Sequence, residues 1–371
     1  MKKLLSMLLC LVFVCGMLMS CDEDRKYGSY LPNYDGYEPE EDEKVTLNLY
    51  IITDDITSDN AKDTVALNIN LYTTRNYNTE LKVHYLTSSK YLSKVTEEVN
   101  ASDEDSANIV LINSVSMMTN LVNAGKLADL TDYLKTDDFG VLNVNIASAL
   151  LEASKINNKL YSIPNNYIVG GNEEYKYGED GYEYLVIDKW ANDEYNVIPP
   201  SMFKNDLGPE DLEGIELLVA ELEEKLEENG YNPADYIYTT KGAYELQESI
   251  EASADVECLV IKNPTVTEEI AFSSAFAVVD RGEKINEKAM EMIYAINMDK
   301  GLRNLLQYGV ADINYKVVDG DIVGIKGATS TYSMNIKYTG NMFIASYSSE
   351  IGWIKSVHEN GILQNKEAVA E

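Results

Sequence analysis

The sequence predicts an α/β fold built on a mostly parallel sheet with helices on both faces. Three observations predict it. Between residues 45 and 124, strand-like and helix-like runs alternate three times, and a β-α-β-α-β-α order makes parallel neighbours. After Pro164 that alternation gives way to a Tyr-rich stretch, so the first sheet ends there. A chain of 371 residues suggests about two domains.

The elements follow in order. Lys2 and Lys3 precede an apolar run from Leu4 to Met19, which stops at Ser20-Cys21-Asp22-Glu23-Asp24. A charged start, an apolar core and a small residue before the cut describe a secretory signal over residues 1–20. Leu18-Met19-Ser20-Cys21 resembles the bacterial lipobox, with Met19 bulkier than the usual occupant. The resemblance implies that Cys21 is lipidated and becomes the first mature residue. Residues 21–44 are then the anchor and an acidic tether without apolar period.

Val45 to Ile52 alternates and then turns apolar, which predicts a strand ending at Thr53-Asp54-Asp55. A helix is expected over 59–77, with Ala61, Val65, Leu67, Ile69 and Leu71 as its apolar positions. Leu81–Leu86 is a second strand, 88–100 a helix capped by Ser88 or Ser89, Asn108–Ile112 a third strand, and 115–124 a helix stopped by Gly125. A helix near 141–155 leads to Lys159–Pro164. Beyond it, Tyr182–Ile187 and Cys258–Lys262 read as strands and Pro199-Pro200 as a loop. Residues 209–229 form an acidic amphipathic helix with Pro209 at its start and Gly230 past its end. Its stripe of Leu212, Ile215, Leu218, Val219, Leu222 and Leu226 serves core packing. One or two helices fill 286–308, with Gly301 as the candidate break, and Asp319-Gly320 turns a hairpin over 316–323. Residues 360–371 read as a frayed end.

Charge and composition exclude several functions. The net charge is −32, and loss of Lys2 and Lys3 makes the mature chain two charges more negative. Such a chain repels phosphate backbones and anionic headgroups, so no nucleic acid partner is expected and membrane attachment rests on the lipid. Of four cysteines only Cys258 is left unmodified in the mature chain, in an apolar strand, so no internal disulfide is expected. No G-x-S-x-G, P-loop, H-E-x-x-H or paired C-x-x-C is present, and two histidines, His84 and His358, make no transition-metal cluster. Neither an enzyme, a cofactor nor a metal site is indicated. What remains is polar residues where strands end: Asp54 and Asp55 after the first, Asn113, Ser114 and Ser116 after the third. Open α/β sheets bind ligands beyond those ends. Helix capping explains the same residues, and both roles can hold.

The layout resembles the extracellular solute-binding lipoproteins of carbohydrate-type ABC importers, of the type found in Gram-positive gut bacteria. Four stretches carry the resemblance: the lipoprotein start; Asn108–Ile112 followed by Ala124-Gly125-Lys126-Leu127-Ala128-Asp129-Leu130-Thr131; Lys159-Leu160-Tyr161-Ser162-Ile163-Pro164; and Ala271–Val278 with Leu302–Gly309 and Tyr338-Thr339-Gly340-Asn341. The resemblance implies a two-lobed, periplasmic-binding-protein-like α/β fold with a ligand cleft between discontinuous lobes. Lobe one would comprise 45–164 plus 272–309, and lobe two 165–271 plus 310–371. The stretch between Tyr184 and Cys258 is short for the family, which leaves substrate size open.

The implied function is binding without catalysis. A small solute bridges the lobes and stabilises a closed form that ABC permease subunits recognise, on an extracytoplasmic, lipid-anchored protein. Twenty-seven tyrosines favour a sugar or oligosaccharide, although tyrosine also serves as an amphipathic surface residue. Expected ligand contacts are Asp54, Asp55, Ser114 and Ser116 from strand ends, Asn165, Asn166 and Tyr167 from the crossing, and Ser273 and Ser274 from the returning segment. A lipoprotein serving a sensor kinase and a secreted carbohydrate-active enzyme are the alternatives.

Overall fold

A computed structural model describes residues 44–169, 183–202, 209–241, 255–348 and 369–370. The expected signal, Cys21 and most of the expected tether lie outside the described residues. Strand β1 (Val45–Ile52) has every side chain but Thr46 buried, because it pairs in parallel with β2 (Thr79–Leu86) on one side and β3 (Ile109–Ile112) on the other. Helix α1 (Asp59–Tyr77) starts at Ser58, whose hydroxyl accepts from Ala61 N, and ends at Asn78 in the left-handed region. It buries Ala61, Val65, Ile69 and Thr73. Leu67 and Leu71 are exposed instead, since a strict four-residue step from Ala61 leaves them on the outer face. Helix α2 (Ser88–Asn100) is capped at Thr87 with no side-chain bond, not by Ser88 or Ser89, because the first turn begins one residue earlier than the serines suggested. Its Tyr91 hydroxyl accepts from Leu111 N (2.7 Å) and lies within hydrogen-bond reach of the Leu111 and Tyr50 carbonyls, stitching α2 to the sheet.

After α3 (Val115–Asn123) and Gly125, at φ +64, the expected helix near 141–155 is two short ones, α4 (Leu142–Asn145) and α5 (Ser148–Ala153). A small hairpin of β4 (Lys155–Ile156) and β5 (Lys159–Leu160) leads to β6 (Ser162–Pro164).

A second core surrounds a three-stranded antiparallel sheet. Its central strand is β7 (Glu183–Asp188), which leads into α6 (Lys189–Tyr195) and then α7 (Pro209–Glu228). Strands β8 (Ile237–Lys241) and β9 (Val256–Lys262) flank β7. Ile215, Leu222 and Leu226 of α7 pack on Leu185, Ile187, Ile237 and Leu259, with Leu218 and Val219 beside them, so the amphipathic stripe from Ile215 onward is core. Cys258 is buried and unbridged.

The chain then returns through β10 (Thr265–Val266) and α8 (Glu268–Ala271) to β11 (Ala275–Val278). Strand β11 inserts antiparallel between β3 and β6 and completes a sheet of order β2-β1-β3-β11-β6. Helices α9 (Glu283–Met298) and α10 (Lys300–Tyr308) are separate, but the break is Asp299, not Gly301: its carboxylate accepts from Gly301 N and Leu302 N and starts α10. Tyr72 and Tyr77 of α1 donate to the same carboxylate. Strands β12 (Tyr315–Val318) and β13 (Asp321–Gly324) form the expected hairpin, with Asp319 and Gly320 both at positive φ. Val369–Ala370, read as part of a frayed end, is instead β14, paired in parallel with β10.

Residues 334–342, assigned above to lobe two, pack on the first core through Met334, Ile336 and Met342. Tyr167–Val169, Val266 and Ala271 also belong to that core. For residues 334–342 the reason is a latch described below, anchored on the fully buried Arg303. No described helix is long and apolar enough to cross a membrane.

Candidate functional site at the sheet edge

Register brings the chemistry-bearing ends together. In β11, Ala275 faces Ile112 of β3 on one side and Pro164 of β6 on the other. Ile52 of β1 faces Leu86 of β2, and Thr53 N donates to the Leu86 carbonyl. Thr53-Asp54, Asn113-Ser114, Asn165 and Ser274 therefore line one edge of a single sheet, where a parallel α/β sheet presents its carboxyl ends.

A segment over 331–342, a polar strap, lies along that edge. At one end Ser333 Oγ donates to Asp54 Oδ2 (2.5 Å), Thr57 Oγ1 donates to the Ser333 carbonyl (2.7 Å), and Ser58 N donates to the Thr331 carbonyl (3.0 Å). Farther along, the Lys337 carbonyl accepts from Asn165 Nδ2 (2.8 Å) and from Ser274 Oγ. Asn165 Nδ2 also donates to Ser274 Oγ (2.9 Å), while Asn165 Oδ1 is buried with no hydrogen-bond partner. The Lys337 ammonium sits 4.9 Å from the centroid of the Tyr167 ring, a cation–π distance. The Tyr167 hydroxyl donates to the Ile270 carbonyl and lies 2.8 Å from Ser273 Oγ. Burial pushes that phenol up to about 12. Tyr338 is also held above its ordinary value, by burial first and then by the Asp54 carboxylate. Both phenols stay neutral donors at physiological pH.

The expected residues sort into two groups. Asn165, Asn166, Tyr167 and Ser274 are buried and bond within the protein; Asn166 spans to Asn145 O (2.6 Å) and accepts from Ala147 N. Asp54 and Ser273 are half-buried, whereas Asp55, Ser114 and Ser116 are exposed. Ser114 Oγ caps α3 by accepting from Met117 N (3.3 Å). The buried group welds the segment after β6, the segment before β11 and the strap into one floor; Asp55, Ser114 and Ser116 are exposed along it, while Asp54 accepts from Ser333 and Ser273 donates to the Ile270 carbonyl. Among the described residues no group of three or more His, Cys, Asp or Glu is placed to hold a metal ion. Ser333, Lys337 and Tyr338 of the strap were not among the expected contacts. The strap has no periodicity, and Tyr338-Thr339-Gly340-Asn341, the one signal there, was placed in the other lobe.

The strap itself is held by Arg303, which is fully buried. Its Nε donates to the Asn341 carbonyl (3.1 Å), Nη2 to the Ile336 carbonyl (2.9 Å) and Nη1 to Gln307 Oε1 (3.2 Å). Gln307 Nε2 donates to the Met334 carbonyl (2.7 Å). One turn of α10 thus satisfies three strap carbonyls that helix or sheet would otherwise pair.

No protein-family model matches the sequence, and no curated protein does. Solved structures do. The N-glycan transport solute-binding protein of Streptococcus pneumoniae superimposes with a TM-score of 0.53 at 17% identity over 88% of this chain and 84% of that one. Its complexes with Man1GlcNAc and Man5GlcNAc each give a TM-score of 0.52, at 15% and 17% identity, over 88% of this chain and 84% and 83% of theirs. A sheet edge built from discontinuous chain, a second body with its own core, and this superposition together give the chain the two-lobed α/β fold of the transport solute-binding proteins.

Proposed function

We propose that the chain is an extracytoplasmic binding protein, anchored through lipidated Cys21, that holds a sugar or short oligosaccharide between two lobes and presents the closed form to an ABC permease. The observation that carries the reading is the strapped sheet edge, where five stretches of chain converge polar groups on one line. The neighbouring solved complexes hold glycan fragments, which supports a carbohydrate as the ligand class. The lobes are taken to cross near Pro164 and near residue 271, with the strap adding to lobe one.

The mechanism is binding. Asp54, Asp55, Ser114, Ser116 and Ser273 offer acceptors and donors to hydroxyls, while Asn165, Asn166, Tyr167 and Ser274 keep the floor rigid, so little ordering is left for the ligand to drive. A chain with 62 acidic residues disfavours an anionic solute. Moving a lobe equilibrium from 1:99 to 99:1 needs about 5.5 kcal/mol of preference for the closed form. Micromolar binding releases about 8 kcal/mol, so the ligand can supply it.

Calorimetry of the soluble form, residues 22–371, against neutral oligosaccharides, peptides and anionic metabolites tests the reading. Micromolar heat with an oligosaccharide, lost in Asp54→Ala, is expected. Tight binding of a peptide or an anion with no carbohydrate heat would overturn it.

A further inference from the structure

The three-stranded body carries an aromatic cluster that the sheet edge does not use. Trp190, on the first turn of α6, is 45% exposed, and Tyr231, just past α7, is 40% exposed. Trp190 meets Tyr231, Tyr236 and Tyr195 at ring-centroid distances of 5.4, 5.7 and 6.5 Å, and Tyr231 meets Tyr236 at 5.6 Å. Three of those four contacts are edge-to-face.

The cluster lies away from the first core. Glu183 at the start of β7 pairs with Lys262, and Lys262 leads within a few residues to Val266 of the first core. The other end of β7, Asp188, pairs with Val256, and Trp190 follows it. A six-residue strand spans roughly 17 Å between those ends.

We propose that Trp190, braced by Tyr195, Tyr231 and Tyr236, is a second, surface site that takes the ring of a neutral sugar within a polysaccharide. Five arguments on this surface converge. A braced indole is preorganised, and a sugar face laid on it loses little further freedom. The tyrosines set further rings, each bearing a phenol hydroxyl, beside the indole, and amphipathic rings of this kind suit a pyranose with its apolar faces and polar edges. The surroundings are acidic: Asp193, Glu194 and Asp235 are exposed beside the rings, and α7 carries nine acids against one lysine. That charge repels an anionic polymer or lipid surface. The patch is a few rings wide, whereas a stable protein partner covers about 800 Å² per side. Centroids as close as 5.4 Å leave no gap between rings for a quaternary ammonium, which needs facing walls around it. Such a site would retain the protein on the polymer from which its smaller ligand is released.

The experiment is native gel electrophoresis of residues 22–371 in gels cast with xylan, galactomannan, β-glucan or starch, beside a polymer-free gel. Retardation by at least one polymer is expected. Trp190→Ala should weaken the apparent affinity about tenfold, one buried ring contact, and Tyr231→Ala should weaken it in the same direction. Asp54→Ala, at the sheet edge, should leave it unchanged, so failure of the sheet-edge reading would not disturb this result. Thermal denaturation checks that each variant is folded; should Trp190→Ala unfold, Tyr231→Ala decides. Retardation by no polymer, equal retardation of folded Trp190→Ala, or of Tyr231→Ala where it must decide, or loss of retardation in Asp54→Ala each overturns the proposal. Displacement by tetramethylammonium would assign the surface to a cation, and a Trp190-dependent shift in the polymer-free gel would assign it to self-association; either result also overturns it.

Discussion

Replacing Arg303 by Met keeps the aliphatic length of the side chain and removes the guanidinium that latches the strap. Three hydrogen bonds go: to the Asn341 carbonyl, the Ile336 carbonyl and Gln307 Oε1. Thr339 Oγ1 lies within reach of both Gln307 Oε1 (2.7 Å) and the Ile336 carbonyl (3.2 Å), but its single hydrogen can serve only one of them. The Asn341 carbonyl therefore loses its guanidinium donor, and one of Gln307 Oε1 and the Ile336 carbonyl loses one as well, at about 1–3 kcal/mol each. Releasing a buried charge offsets part of this, so the expected loss is about 3 kcal/mol. For a large domain that lowers Tm by roughly 6 °C. Arg303→Lys should not recover it, because one ammonium cannot span the three acceptors of a planar fork. Thermal denaturation followed by circular dichroism measures the shift, and calorimetry well below Tm measures ligand affinity. The strap carries Ser333 and Lys337 to the sheet edge, so affinity should fall in Arg303→Met but not in Val65→Ala, a remote core variant on α1. A Tm within about 1 °C of the parent, or equal affinity losses in the two variants, would refute the latch.

Three other outcomes are expected. His84 stacks on Tyr50 with centroids 4.3 Å apart, and its Nε2 donates to Asn48 Oδ1, since the Asn48 amide hydrogens are given to Glu104 and Ser106. Burial lowers its pKa more than Asp105 and Glu98 raise it. The folded chain thus binds this proton less readily, and the contribution is whole above the ordinary value of about 6.5 and lost as pH falls through the lowered one. Urea midpoints should fall as pH drops below about 6.5, with a slope that His84→Gln reduces; an unchanged slope would dismiss the assignment. Asp299→Ala removes the α10 cap and the carboxylate to which Tyr72 and Tyr77 donate, costing roughly 2–4 kcal/mol, readable as a lower urea midpoint; a cost below about 1 kcal/mol would contradict it. Cys21→Ala should abolish fatty-acid labelling and leave precursor, and equal labelling of the variant would sink the anchor.

The first sheet was legible because its strands and helices are local and strongly patterned. Val45–Ile52 and Asp59–Tyr77 match the expected bounds residue for residue. The edge residues were legible for the same reason: strand ends and caps have short-range signatures. Two things escaped. Ser88 and Ser89 suited a cap as well as Thr87 does, and only the backbone of the first turn separates them. The strap escaped for a deeper reason. Its carbonyls are paired by Arg303 and Gln307 of α10, about 30 to 40 residues earlier, and no local period records such a debt. Leu67 and Leu71 show the reverse failure, apolar letters on a helix face that nothing described covers.

Strand β11 has a consequence for when this protein can fold. Asn165 and Ser274, which frame the slot it fills, are 109 residues apart. Closing a loop of that length costs roughly 4 kcal/mol before any contact repays it. Until β11 emerges, β3 and β6 share no hydrogen bonds, and Ile112 and Pro164 face an empty lane. A polypeptide threaded outward from its amino terminus would hold that lane open while more than a hundred further residues cross. Folding is thereby deferred by topology itself, so a chain exported as proposed above would reach the far side of a translocation pore before its sheet could close.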